Sequence, residues 1–244
     1  MDWQEERRRE TRPSGAAGLL RLAIDTAGRA ALVPAAVLPL PADSGQSRRC
    51  VGSERFAAGR GGERYAAWWG ARPDSSAVVL VARSTDDGAT WGVPLAVDTL
   101  DRGVRACARP APGLAADTLN NFIHVVYFLD APEGPGLFYA HQMDPRAAFE
   151  PATVIVYGRR SVAAAIATSG DTVAVAYEDP NGARPRVALA LSRTAGHIFE
   201  DRHVEVSGDA AQARDPRVAL GSGRIAVGWT EGEGVAVVRV GKIK

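Results

Sequence analysis

RYAAWWGARPDSSAVVLVARSTDDGATW, running from Arg64 to Trp91, is the stretch on which the fold turns. Its first part, Arg64 to Gly70, alternates small and large apolar residues at the two-residue period of a strand. A turn rich in Pro, Asp and Ser follows, and then a second apolar run, AVVLVARS from Ala77. The pair reads as a β-hairpin. Three more pairs follow it: Phe122 to Leu129 with GLFYAHQM from Gly136, Thr172 to Tyr177 with RVALALSR from Arg186, and Arg224 to Trp229 with GVAVVRVG from Gly234. No comparable stretch sustains a helical period.

The aromatic residues give the repeat its length. Trp69, Tyr127 and Tyr177 on the first strands are 58 and then 50 residues apart, and Trp91, Phe149 and Phe199 beyond the second strands show the same two intervals. Trp229 follows Tyr177 by 52. A unit of about 50 residues is the size of one four-stranded propeller blade, which buries its faces only against its neighbours. The fold class expected is therefore all-β, a β-propeller of four four-stranded antiparallel blades. The last repeat ends after its third strand, and Leu32 to Leu38 resembles the outer-strand segment Gly92 to Val97, so an N-terminal strand is expected to complete the last blade. Gly18 to Asp25 reads as a further strand leading into a degenerate turn. That feature leaves a fifth partial blade, or a truncated six-bladed ring, as alternatives.

Ser84-Thr85-Asp86-Asp87-Gly88-Ala89-Thr90-Trp91 resembles the Asp-box (BNR repeat) pattern Ser-x-Asp-x-Gly-x-Thr-Trp of the sialidase-like propellers. Ser192, Gly196 and Phe199 keep three positions of a second copy, and Asp144 with Phe149 keeps two of another. In that family the boxes are structural turns away from the catalytic face, so no chemistry is assigned to them. The resemblance implies an arginine triad that grips a sugar carboxylate, a tyrosine–glutamate nucleophile and an aspartic general acid. The chain contains no Arg-Ile-Pro segment, the nearest being Arg109-Pro110 and Asp215-Pro216-Arg217. Tyr177, Glu178 and Asp179 are the nearest catalytic candidates, although strand alternation places Tyr177 between blades.

In a propeller, the links from outer to inner strands share one face with the turns between second and third strands. Arginines precede each inner strand: Arg48 and Arg49, Arg105, Arg159 and Arg160, and Arg214. Acids occupy the facing turns: Asp74, Asp130, Glu178 with Asp179, and Glu231 with Glu233. Arg49, Arg105, Arg160, Arg214, Asp130 and Glu231 are the expected ligand-binding residues, because forked guanidinium donors suit carboxylates and phosphates. The expected role is a recognition or scaffold module for an anionic glycan or peptide. A sialidase-like glycoside hydrolase and a fragment of a larger propeller protein are the alternatives.

Composition narrows the rest. Apolar residues make up 46% and charged residues 23%, with a net charge of +1, so no global field recruits nucleic acid or anionic lipid. The longest apolar-rich stretch, Ala30 to Pro41, is broken by three prolines and is shorter than the roughly 18 residues a spanning helix needs. Residues 1–15 carry no signal-peptide pattern and read as a disordered tail before a single domain, 16–244, expected to be a monomer. His124, His141, His197 and His203 show no ligand spacing, so no metal or cofactor is expected. Cys50 and Cys107 lie 57 apart and are expected on inner strands of adjacent blades as a buried thiol pair, with a disulfide as the alternative.

Overall fold

The computed structural model describes residues 3–9, 20–34, 38–40, 47–103, 105–208, 212–232 and 234–243. Its strands begin with β1 (Gln4–Arg9), β2 (Leu20–Ile24), β3 (Ala30–Pro34), β4 (Arg48–Arg49), β5 (Arg55–Ala58), β6 (Arg64–Ala71), β7 (Ala77–Ser84) and β8 (Leu95–Asp98). After a 3-10 turn at Ala106–Ala108 come β9 (Gly113–Ala116), β10 (Ile123–Ala131), β11 (Gly134–Gln142) and β12 (Thr153–Tyr157). The last group is β13 (Ala164–Ser169), β14 (Thr172–Glu178), β15 (Val187–Ser192), β16 (Val204–Glu205), β17 (Ala213–Gly221), β18 (Arg224–Glu231) and β19 (Val235–Lys242). These strands form two compact units. A central unit spans Leu38–Ala163, and a terminal unit joins Met1–Val37 to Ala164–Lys244.

Each unit contains two blade-like antiparallel sheets. In the central unit β4 and β5 share one edge of β6, which continues to β7 and β8, and the second sheet runs β9-β10-β11-β12. The terminal unit has β13-β14-β15-β16 and β17-β18-β19-β1. The four hairpins read from the sequence are thus the central pairs of four sheets. The N-terminal segment does complete the last sheet, but through a different strand from the one expected. Gln4–Arg9 pairs with β19, from Gln4 opposite Val240 to Arg9 opposite Val235, which corrects the reading of this segment as a tail; residues 10–15 lie outside the described residues. Of the expected closing segment Leu32 to Leu38, Leu32, Val33 and Pro34 instead belong to β3 and pair with β2, and residues 35–37 lie outside the described residues. The β2–β3 hairpin is the partial extra blade, with Leu22 buried against Ala219 and Ala226 of β17 and β18.

Face-to-face packing of paired sheets makes the cores. The central unit buries Trp69, Val79, Ile123, Val125, Tyr127 and Phe138 in one cluster, and the terminal unit buries Leu189, Ile225, Val227 and Trp229. At about 25 cal/mol per Å2 such aromatic side chains dominate the favourable side of folding. The landmark spacing hides one slip. Arg64 pairs with Ser84 and Ile123 with Gln142, so second strands offset by 58 have first strands offset by 59. One residue reverses the face a side chain presents. Trp69 and Tyr127 therefore enter the same layer from opposite sheets, and their rings meet edge-on at 6.4 Å.

The Ser84–Trp91 turn closes the other end of β7. Ser84 Oγ donates to Asp86 Oδ1 (2.7 Å) and accepts from the Gly88 amide (2.9 Å), while Asp86 accepts the Thr90 amide (2.9 Å) and hydroxyl (2.6 Å). Gly88 has φ +92°, a left-handed angle that favours glycine. The turn after Ser192 uses the same device: the Gly196 amide donates to Ser192 Oγ at 3.0 Å, with φ +91° at Gly196.

Candidate functional site

Strand register determines which groups share an end of the central unit. Arg48 lies opposite Ala71 and Asp98 opposite Val79, so Arg48, the Arg72–Ser76 turn and the exit of β8 gather at one end of their sheet. The link 99–112 enters the second sheet beside the β10–β11 turn, where the Arg102 amide donates to the Asp130 carbonyl at 3.2 Å. Arg159 and Arg160 follow β12 at this same end, since the Gly158 amide reaches the Pro135 carbonyl at 2.9 Å.

The link is folded by its own polar residues. Asp98 accepts the Leu100 amide at 2.6 Å and Asp101 the Gly103 amide at 2.8 Å, two local turns of the kind aspartate favours. Arg109 forks onto Asp101, with Nη2 to Oδ1 at 2.9 Å and Nη1 to Oδ2, and Nη1 also reaches the Phe128 carbonyl at 3.1 Å. Both partners are shut from water, the Arg109 side chain being 7% and Asp101 0% exposed. Burial pushes the Asp101 carboxyl above its ordinary pKa, against the opposing pull of Arg109. The guanidinium also lies over Trp69 at 5.1 Å, while the Trp69 indole donates to the Pro110 carbonyl at 2.8 Å.

A disulfide between Cys50 and Cys107, with Cα atoms 4.9 Å apart, ties this link to the neighbouring sheet. The expectation of a free thiol pair on two inner strands is corrected on both counts. Cys50 follows β4 and Cys107 sits in the 3-10 turn, because a turn can present its Cβ across the gap where two pleated strands would direct theirs into separate layers. The clamped link displays two exposed arginines. Arg102 and Arg105 have no side-chain ion pair or hydrogen bond with another described residue, and Arg105 is held at φ +69°.

The remaining expected site residues fall as follows. In the central unit, Arg49 lays its guanidinium over Trp68 at 5.9 Å, Arg160 is exposed, and exposed Asp130 packs where a Cβ on Gly103 would meet its own Cβ at 2.7 Å. Asp74 caps Ser76 within its turn. In the terminal unit, Tyr177, Glu178, Asp179, Arg214 and Glu231 come to one end of their sheets. Tyr177 is buried, and its hydroxyl meets His203 Nδ1 at 2.6 Å, not Glu178; burial holds the phenol far above its usual pKa. Glu178 accepts the Asp215 amide at 3.0 Å, Asp179 accepts the Asn181 amide at 2.9 Å, and Glu231 accepts the Trp229 indole at 2.9 Å. Arg214 is exposed on β17, and Glu233 lies outside the described residues. Sequence reasoning passed over Asp101, Arg102 and the pairing of Arg109. The available signal was the Asp98-x-x-Asp101 run and the position of Arg109 two residues after a cysteine.

Comparisons with known proteins bear on the fold. No protein-family model matches the sequence, and no curated protein does. Among solved structures, a protein of unknown function from Dyadobacter fermentans is similar with a TM-score of 0.58 and 15% identity, over 77% of this chain and 52% of that one. A Hadza microbial sialidase gives a TM-score of 0.56 at 15% identity, over 76% and 43%. A GH43_12 protein from a capybara gut metagenome gives 0.52 at 12% identity, over 80% and 40%. The chain spans about half the length of these structures or less. The likeness establishes the all-β, propeller-type fold that the repeat implies.

Proposed function

We propose that this chain is a sialidase-like Asp-box propeller acting as a recognition module, and that its central unit takes an anionic glycan on Arg102 and Arg105, with Arg49 and Arg160 at the same end. One observation carries the reading. Two exposed guanidinium groups without a side-chain partner among the described residues stand on a link fixed in advance by a disulfide and a buried ion pair, so little ordering cost opposes binding. The Ser84–Trp91 turn supports the Asp-box assignment, since each residue of that pattern makes the bond or backbone angle its place requires. A peptide carrying clustered carboxylates is the other ligand of suitable charge. The glycosidase reading gains less support, because the Tyr177 hydroxyl is committed to His203.

The test is calorimetric titration of the full chain with sialyllactose and with a sulfated oligosaccharide. A charge-assisted hydrogen bond is worth about 1.5–3 kcal/mol, so Arg102→Ala/Arg105→Ala should weaken binding by at least about tenfold, while Arg193→Ala, in the terminal unit, should leave it unchanged. Equal affinity in the double variant would remove the assignment. Steady hydrolysis of a fluorogenic sialoside would move the chain to the hydrolase class.

A further inference from the structure

At the opposite end of the central unit a cleft of about 480 Å3 opens between the two sheets. Its walls carry the rings of Tyr65, Trp91 and Phe149 and the polar groups of Arg83, Gln142 and Arg146, with the Thr85 and Thr90 hydroxyls at the Ser84–Trp91 turn. The repeat explains why it exists. Phe149 occupies in the second sheet the place Trp91 occupies in the first, but Gln142 stands where Ser84 would tie the turn shut. Its amide instead donates to the Ala147 carbonyl, and the turn departs from the box geometry.

The charges inside are arranged unequally. Arg83 is fixed by Glu63, which also accepts the Tyr65 hydroxyl at 2.5 Å, and the Arg83 Nε is buried without a hydrogen-bond partner. Arg146 is exposed, and among the described residues its guanidinium has no ion pair; Asp144 bonds only its backbone amide, at 2.9 Å. Val93, 86% exposed, and Leu95, 42% exposed, place an apolar lip beside these groups. A volume within the roughly 300–1,000 Å3 of small-molecule sites, aromatic walls and a few convergent polar groups are what a compact ligand with apolar faces and one anionic group requires.

We propose that this cleft binds a single carboxylate-bearing sugar unit of the hexuronide class. Its carboxylate pairs with Arg146, its hydroxyls meet Gln142 and the threonines, and its C–H face lies against the aromatic wall. The site is separate from the arginine-bearing link and stands whether or not that link binds a glycan.

Methyl β-D-glucuronide, with methyl β-D-glucoside as its neutral counterpart, tests the proposal on the full chain by calorimetry and by the 15N–1H signal of the Trp91 indole. The uronide should bind with a Kd of order 1 mM and shift the Trp91 signal, and the glucoside should bind about tenfold more weakly. Arg146→Ala should erase that preference, and Val93→Trp, which fills the mouth from an exposed position, should abolish binding of both. Equal affinity for the two sugars, or no titratable shift at Trp91, would overturn the proposal. So would uronide binding that Arg102→Ala/Arg105→Ala removes and Arg146→Ala spares, because the sugar would then sit on the link.

Discussion

Truncating Arg109 to alanine tests whether the link 99–112 is held from within. The Asp101 carboxylate is fully enclosed and Arg109 nearly so, in contrast to a surface pair such as Arg29 with Asp25, whose side chains are 81% and 41% exposed. Breaking an enclosed pair strands a charge and costs about 3–5 kcal/mol, whereas exposed pairs contribute roughly 0–1 kcal/mol. Loss of the Trp69 contact adds to the same side. With a urea dependence of about 1–3 kcal/mol per molar, the midpoint of unfolding should fall by roughly 2 M. Equilibrium urea denaturation followed by tryptophan fluorescence at pH 7 measures it. The folded-state pKa of Asp101 is already raised, so its contribution to stability is fully present below the unfolded value near 3.8 and is lost as pH rises through the folded value. Without Arg109 that rise becomes larger. The deficit of Arg109→Ala against wild type should therefore shrink on acidification towards pH 4. A loss below about 1 kcal/mol at pH 7, or a deficit that grows in acid, would refute the enclosure argument.

The Asp86 carboxyl is lowered to about 2, chiefly by the Thr90 hydroxyl and then by Ser84, so its support is present above about 3.8 and lost as pH falls towards 2; the melting-temperature gap between wild type and Asp86→Asn should close over that window. Burial lowers the pKa of His203, which favours the neutral ring against Tyr177, so stability should decline as pH falls below about 6.5, and His203→Gln should flatten that decline in thermal melts. Reducing Cys50–Cys107, which closes a 57-residue separation, should cost roughly 4 kcal/mol by loop entropy, and superimposable melts of oxidised and reduced protein would contradict this.

The hairpins and the burial of Trp69, Tyr127, Tyr177 and Trp229 were legible because apolar alternation and aromatic size report directly on which faces meet. The slip that turns Trp69 and Tyr127 towards each other was not, since landmark intervals count residues along the chain and carry no record of strand register. The closing strand was hidden for a related reason. QEERRR has no apolar alternation, and its role at a sheet edge rests on backbone pairing with β19, where charged side chains are what an edge tolerates. Arg109 and Asp101 were obscured by composition: a proline-flanked arginine and an aspartate in a loop look like solvated charges until the Trp69 layer encloses them. The disulfide that sequence ranked second, the enclosed ion pair and the left-handed Arg105 all involve the one link 99–112. Local rules fail together where a chain must hold a costly conformation for some purpose other than packing. Arg105 takes its left-handed angle four residues after the enclosed Asp101 and two before the crosslinked Cys107, so the positions where local rules fail are also neighbours along the chain.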